Sequence, residues 1–139
     1  MAEIVYSPFH IDVARFASDD FNPFHDRHKW QQIVGNPFGG PIALGFQLSA
    51  FIVDTVHETW RRAQVKHEDR RYSTLQVRFV DAARAGDLLA VEVKQAHVDA
   101  GTGGLGSRFL LKRNGRTAVI GSLRVAHEVD WAEDGGEDL

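Results

Sequence analysis

Ile42-Ala43-Leu44-Gly45-Phe46-Gln47-Leu48-Ser49-Ala50-Phe51-Ile52-Val53 runs for twelve residues without a charge. Charges return at Asp54 and become dense at Arg61-Arg62. Within and beyond this stretch Leu44, Leu48, Phe51, Ile52, Val56 and Trp60 recur at the spacing of one helix face. The pattern predicts a helix over residues 42–63. A helix that is apolar nearly all round at its start and wet at its end belongs in a core, with its C-terminus emerging into solvent.

Downstream the period changes from that of a helix to two. Leu75, Val77 and Phe79 alternate with Gln76 and Arg78, and Leu89, Val91 and Val93 alternate with polar residues as far as Val98. Phe109 and Leu111 mark a third strand, and Thr117, Val119, Gly121, Leu123 and Val125 a fourth. The connections are equally legible. Ala85-Gly86-Asp87 is a turn, the glycines at 101, 103, 104 and 106 make a flexible hairpin connection, and Asn114-Gly115 is the strongest hairpin signal in the chain. Such a sheet has one apolar face, and helix 42–63 is the element large and apolar enough to cover it. The expected class is α+β: an antiparallel sheet wrapped around a long central helix, the hot-dog architecture.

Upstream, Ile4 to Tyr6 is a short β-prone run. Ser7-Pro8 reads as an N-cap followed by proline in the first helical turn. Phe9, Val13, Phe16 and Ala17 predict an amphipathic helix over 8–18, ended by Asp19-Asp20-Phe21-Asn22-Pro23. A second short helix is expected over 26–34, burying Trp30, Ile33 and Val34. Gly35-Asn36-Pro37 stops it, and a loop through Phe38-Gly39-Gly40-Pro41 leads into the core helix.

The 139 residues suit one domain with one core. An apolar fraction of 43% with 25% charged residues excludes a disordered chain, and no run approaches the roughly 20 apolar residues that cross a bilayer. Zero cysteines exclude a disulfide scaffold and a cysteine nucleophile. The net charge of −3 is unevenly spread: Asp130, Glu133, Asp134, Glu137 and Asp138 sit in the last ten residues, and without them residues 1–129 carry +2. A nearly neutral body argues against nucleic-acid binding. We expect a single domain over 1–129 and a frayed, dispensable acidic tail over 130–139. The start of the chain lacks a basic segment followed by a long apolar one, so a cytoplasmic location is expected.

Two segments can carry chemistry. Asp20-Phe21-Asn22-Pro23-Phe24-His25 puts a carboxylate and an imidazole five residues apart in a proline turn stiff enough to aim both at one point. Such a pair can hold a water and exchange protons with a substrate, although Asp and Asn in such turns also serve simply as backbone caps. Gly39-Gly40-Pro41-Ile42-Ala43-Leu44-Gly45 places backbone N–H groups at the start of the core helix, where they can stabilise an oxyanion or merely permit a tight loop. His25 and His28 could ligate a metal, but no third ligand has a convincing spacing. Arg61, Arg62, Lys66, Arg70 and Arg71 form a basic cluster suited to a solvated helix end or to the phosphates of coenzyme A. Ser49 has no base beside it in sequence and reads as a self-satisfied helix serine.

Asp20-x-Asn22-Pro23-x-His25, followed by Gly40-Pro41-Ile42-Ala43-x-Gly45, resembles the MaoC-like (R)-specific enoyl-CoA hydratase family. Phe79-Val-Asp-Ala-Ala-Arg-Ala-Gly86-Asp87-Leu88 is similar to the family's strand-turn-strand, and the likeness spans most of residues 3–127. The resemblance implies a hot-dog subunit, paired into a homodimer or larger even oligomer, that hydrates trans-2-enoyl thioesters or runs the reverse dehydration. It implies Asp20 and His25 as the acid/base pair and the Gly45 N–H as donor to the thioester carbonyl. Asn22, Gly40, Ile42, Arg61 and Arg62 are the expected substrate-binding residues. No metal or redox cofactor is implied, coenzyme A being part of the substrate. The sequence departs from the family at Leu44, where a histidine is common, at Phe46-Gln47 in place of Met-Leu, and at Asp81 in place of proline. A thioester-binding protein without turnover and a hot-dog thioesterase are the alternatives.

Overall fold

The computed structural model describes residues 2–20, 22–36 and 39–127. Its elements are β1 (Ala2–Val5), α1 (Pro8–Ser18), two 3-10 turns (Pro23–His25 and Lys29–Gln32), α2 (Gly45–Arg62), β2 (Tyr72–Phe79), β3 (Leu88–Val93), β4 (His97–Val98), β5 (Leu105–Arg113) and β6 (Arg116–Ala126). The strands form one antiparallel sheet in the order β1-β3-β5-β6-β2, with β4 paired to β5. The expected acidic tail lies outside the described residues. No helix among the described residues is long and apolar enough to cross a membrane.

The period-two positions pack as the alternation requires. Leu89 and Val91 of β3, Leu105, Phe109 and Leu111 of β5, and Val119, Leu123 and Val125 of β6 turn inward onto Leu48, Ile52, Val56 and Trp60 of α2. Trp60 is fully buried and its indole N–H donates to Ser107 Oγ at 2.8 Å, so the one polar atom of the largest core side chain is satisfied. Asn114 and Gly115 both take positive φ, as a primed hairpin turn demands. Gly121 meets a different demand. A Cβ built there would fall onto the Gln76 carbonyl, so only glycine lets β2 lie this close to β6.

Three expectations need correction. The core helix starts at Gly45, not Ile42, because residues 41–43 are extended: Ile42 bridges Arg84, and the Ala43 N–H donates to the Ala83 carbonyl at 2.7 Å. Residues 26–34 form no second α-helix. Asp26 Oδ1 accepts the N–H groups of His28 and Lys29, a turn forms over Lys29–Gln32, Trp30 and Ile33 are half-buried and Val34 is 99% exposed. Helix α1 has the expected range and the expected Ser7 cap, but it buries Ile11 and Arg15 and leaves Phe9, Val13 and Phe16 exposed. The face turned inward is the one whose arginine reaches two carboxylates.

Candidate active site

Residues 22–25 and 41–45 are separate in sequence and are pinned together by backbone groups. Asn22 Oδ1 accepts the Phe24 N–H at 3.0 Å and so caps the 3-10 turn that carries His25. The Ile42 N–H donates to the Phe24 carbonyl at 3.0 Å, and His25 Nδ1 donates to the Ile42 carbonyl at 2.8 Å. A carbonyl oxygen can only accept, so this bond places the proton on Nδ1. In the neutral ring Nε2 is then left as an acceptor.

Nε2 faces Asp20 Oδ2 at 3.7 Å. The other Asp20 oxygen accepts the Asn22 N–H at 3.1 Å, which fixes the carboxylate relative to the turn. Two acceptors at 3.7 Å do not bond each other. They suit a water that donates one O–H to each.

A cavity of about 430 Å³ opens beside this pair, lined by His25, Ile42, Ala43, Gly45, Leu48 and the run Phe79-Val80-Asp81-Ala82-Ala83. It falls within the size range of small-molecule sites. Its walls are mostly apolar. His25 is nearly buried, with a side chain 13% exposed, while Asp20 is 39% exposed and is not part of the cavity lining. Gly45 is the first residue of α2, where a backbone N–H has no acceptor within the helix and the dipole favours negative charge.

The remaining expected residues fall in three groups. Ile42 lines the cavity; Asn22 is an exposed cap beside it; Gly40 lies in the loop leading to it but is not part of its lining. Arg61 and Arg62 are exposed at the far end of α2, about 25 Å from Gly45 at 1.5 Å per residue, and both pair with Glu58. Within one subunit the structure does not bring them to the cavity. Ser49 donates to the Gly45 carbonyl at 3.0 Å, and His28 is exposed. Leu44 is buried as the residue preceding α2.

Sequence reasoning did not assign Asp81, a carboxylate in the cavity lining. Burial pushes its pKa up, but the Ala82 N–H and the Arg113 guanidinium outweigh burial and hold it below the usual range. Arg113 bridges Asp81 at 3.0 Å and buried Asp87 at 2.9 Å, and Asp87 also accepts from the Arg84 N–H and the Asn114 amide. The Gly-Asp of the sequence motif therefore ties two turns together behind the cavity wall. The signal for Asp81 in the sequence was its place where the resembled family commonly has proline.

No family model and no curated protein sequence matches the chain. Solved structures do. An (R)-hydratase of A. caviae involved in PHA biosynthesis superposes with a TM-score of 0.70 at 17% identity, over 91% of this chain and 92% of that one. A 3R-hydroxyacyl-ACP dehydratase complex of Mycobacterium tuberculosis gives 0.67 at 11%, over 89% of each chain. A probable thioesterase of Bartonella henselae gives 0.55 at 9%, over 90% and 85%. This chain has the hot-dog fold. At these identities the likeness is one of fold. In this hot-dog chain His25, facing Asp20, lines a cavity that also holds Ile42 and Gly45 at the N-terminal end of α2.

Proposed function

We propose that the chain is a MaoC-like hydratase/dehydratase, adding water to trans-2-enoyl thioesters, most simply enoyl-CoA to (R)-3-hydroxyacyl-CoA, or removing it. The observation that carries this reading is the 3.7 Å gap between two proton acceptors, Asp20 Oδ2 and His25 Nε2, beside a mostly apolar cavity. A water there is polarised by both groups. Its oxygen bonds to C3 of the enoyl group, the pair takes up one of its protons, and a proton is returned to C2. Negative charge collects meanwhile on the thioester oxygen. The Gly45 N–H, at the positive end of α2, is the donor this charge needs. The reaction calls for no metal or redox cofactor, and coenzyme A or an acyl carrier arrives as part of the substrate.

The reading includes a homodimer. β2 ends the sheet, and Tyr72, Phe79 and Val80 on and just after it are about half exposed. An edge strand with apolar neighbours invites pairing, and a twofold dimer covers both copies at once. Sedimentation at twice 15.5 kDa, or an even multiple, is the expected result; a stable, active monomer overturns it.

The deciding assay is loss of enoyl absorbance with crotonyl-CoA and longer enoyl-CoAs, run beside a free-thiol assay. Absorbance loss without thiol release is expected, and Asp20→Asn and His25→Ala should each lower turnover by about 100-fold or more. Thiol release from saturated acyl-CoAs would establish a thioesterase instead, and tight binding with neither reaction a thioester-binding protein.

A further inference from the structure

We propose that Arg15 is a positioning residue that clamps the Asp20–His25 loop from both of its ends. Its kinetic consequence rests on the hydratase reading; its structural consequence does not.

Arg15 is charged, yet its side chain is only 8% exposed. Nη1 lies 3.2 Å from Asp12 Oδ1 and Nη2 3.2 Å from Asp26 Oδ2. Asp12 sits one turn earlier on α1, while Asp26 immediately follows His25. The backbone of Arg15 holds the other end. Its carbonyl accepts the N–H of Asp19, which closes α1 in the left-handed conformation at φ 56°, and the N–H of Asp20 at 2.9 Å. One residue thus bonds the chain at Asp20 and again at Asp26, and the segment from 20 to 26 carries the whole acid/base pair.

The clamp extends on both sides. Asp12 Oδ2 also receives Arg27 Nε at 2.8 Å, so Arg27, Asp12, Arg15 and Asp26 alternate in charge across the interface between α1 and the loop. Asp26 is braced by the N–H groups of Lys29 and His28, each at 2.8 Å to Oδ1; these bonds first, then the charges of Arg15 and Lys29, overcome burial and hold its carboxyl below the ordinary aspartate range. A guanidinium suits this place because its rigid planar fork presents separate N–H groups to the two carboxylates, which the compact ammonium of lysine matches less well. The helix exposes Phe9, Val13 and Phe16 while it buries this arginine. Apolar burial alone would rotate it the other way. Misplacing a reacting group by about 1 Å can cost about 100-fold in rate, and the gap at stake here is 3.7 Å.

The test uses Arg15→Lys, Arg15→Met and Asp26→Asn in the full chain. Asp26→Asn keeps the oxygen that caps the turn and removes the charge that meets Arg15, so it keeps the question open if an Arg15 variant fails to fold. Hydrogen exchange of residues 19–28 is compared with that of the β5–β6 hairpin, and kcat and KM are measured with crotonyl-CoA. Faster exchange confined to residues 19–28, with kcat down about 10- to 100-fold, KM within about twofold and lysine recovering part of the loss, supports the clamp. Unchanged exchange at 19–28 in a folded variant overturns it, whether or not the wild type hydrates enoyl thioesters. Selective exchange with kcat unchanged in an active protein overturns the positioning role. If the wild type shows no hydration, the function proposed above fails, and the exchange comparison alone decides for or against the clamp.

Discussion

A partly buried histidine lies near each end of α2, and the two differ in what surrounds them. At the N-terminal end His25 is anchored through Nδ1 to the Ile42 carbonyl and turns Nε2 toward Asp20 beside a cavity. Toward the C-terminal end His57 packs against Trp60 and buried His67, with ring centroids 5.7 and 5.2 Å away. Its Nε2 is buried with no hydrogen-bond partner among the described residues. Burial first, then the charges of His67 and Arg61, hold its pKa below the ordinary value against the opposing pull of Asp54 and Glu68. A partly buried imidazole is therefore not a site in itself. What separates the two is a facing acceptor and an adjoining space for a substrate.

The widest contrast is kinetic. His25→Ala should cost about 10²- to 10⁴-fold in hydration turnover, whereas His57→Phe should leave it within about twofold. Equal losses in the two folded variants would erase the distinction. Adding Asp20→Asn to His25→Ala should lower the rate little further, because groups that act as a unit are not additive.

The far end should instead dominate stability. Trp60 is fully buried and bonded to Ser107. Trp60→Ala should cost about 3–5 kcal/mol in urea unfolding, with the turnover of the folded fraction kept. A loss of activity without a loss of stability would make that end functional.

At the near end stability and activity should part company. Gly45 has ordinary negative φ, and a Cβ there would meet Phe79 Cζ at 3.5 Å, an ordinary contact. Gly45→Ala should therefore stabilise by about 0.4–1 kcal/mol through the unfolded chain. The same methyl projects against the cavity wall beside the proposed carbonyl donor and should lower kcat/KM. Unchanged kcat/KM would remove Gly45 from the site.

The smallest effect is on pH dependence. The folded pKa of His57 lies below its unfolded value of about 6.5. The unfolded chain thus takes up the proton first as pH falls. The stability linked to neutral His57 is present above about pH 6.5 and is lost progressively below it. The urea midpoint should fall between pH 7 and pH 5, and less steeply in His57→Phe. Parallel profiles for the two proteins would show that His57 does not set this slope.

Local rules accounted for much of the near end before any fold was known. The Ser7 cap, the range of α1, the Asn114-Gly115 turn and the period-two strands follow from neighbours within a few residues, and all are present. Asp20 and His25 were legible as a pair because one short turn carries both. The inward face of α1 was not, because Arg15 is drawn in by Asp26, eleven residues away. Nor was the separation of Arg61 and Arg62 from the cavity, which follows from the length of α2 and from which of its ends the loops reach.

By itself, then, the amino-acid sequence determined the antiparallel strands, the uncharged core helix and the candidate acid/base pair, since hydrophobic period and turn chemistry act over short range. Tertiary structure alone decided that the Ile42 carbonyl accepts a hydrogen bond from His25 Nδ1, leaving Nε2 as an acceptor that faces Asp20. It alone placed Asp81 in the cavity wall with Arg113 behind it, and admitted only glycine where β2 crosses close to β6 at Gly121. Each of these depends on a group 17 or more residues away, or on another strand. Its distance and direction are set by how the sheet and α2 pack, and no local pattern encodes them.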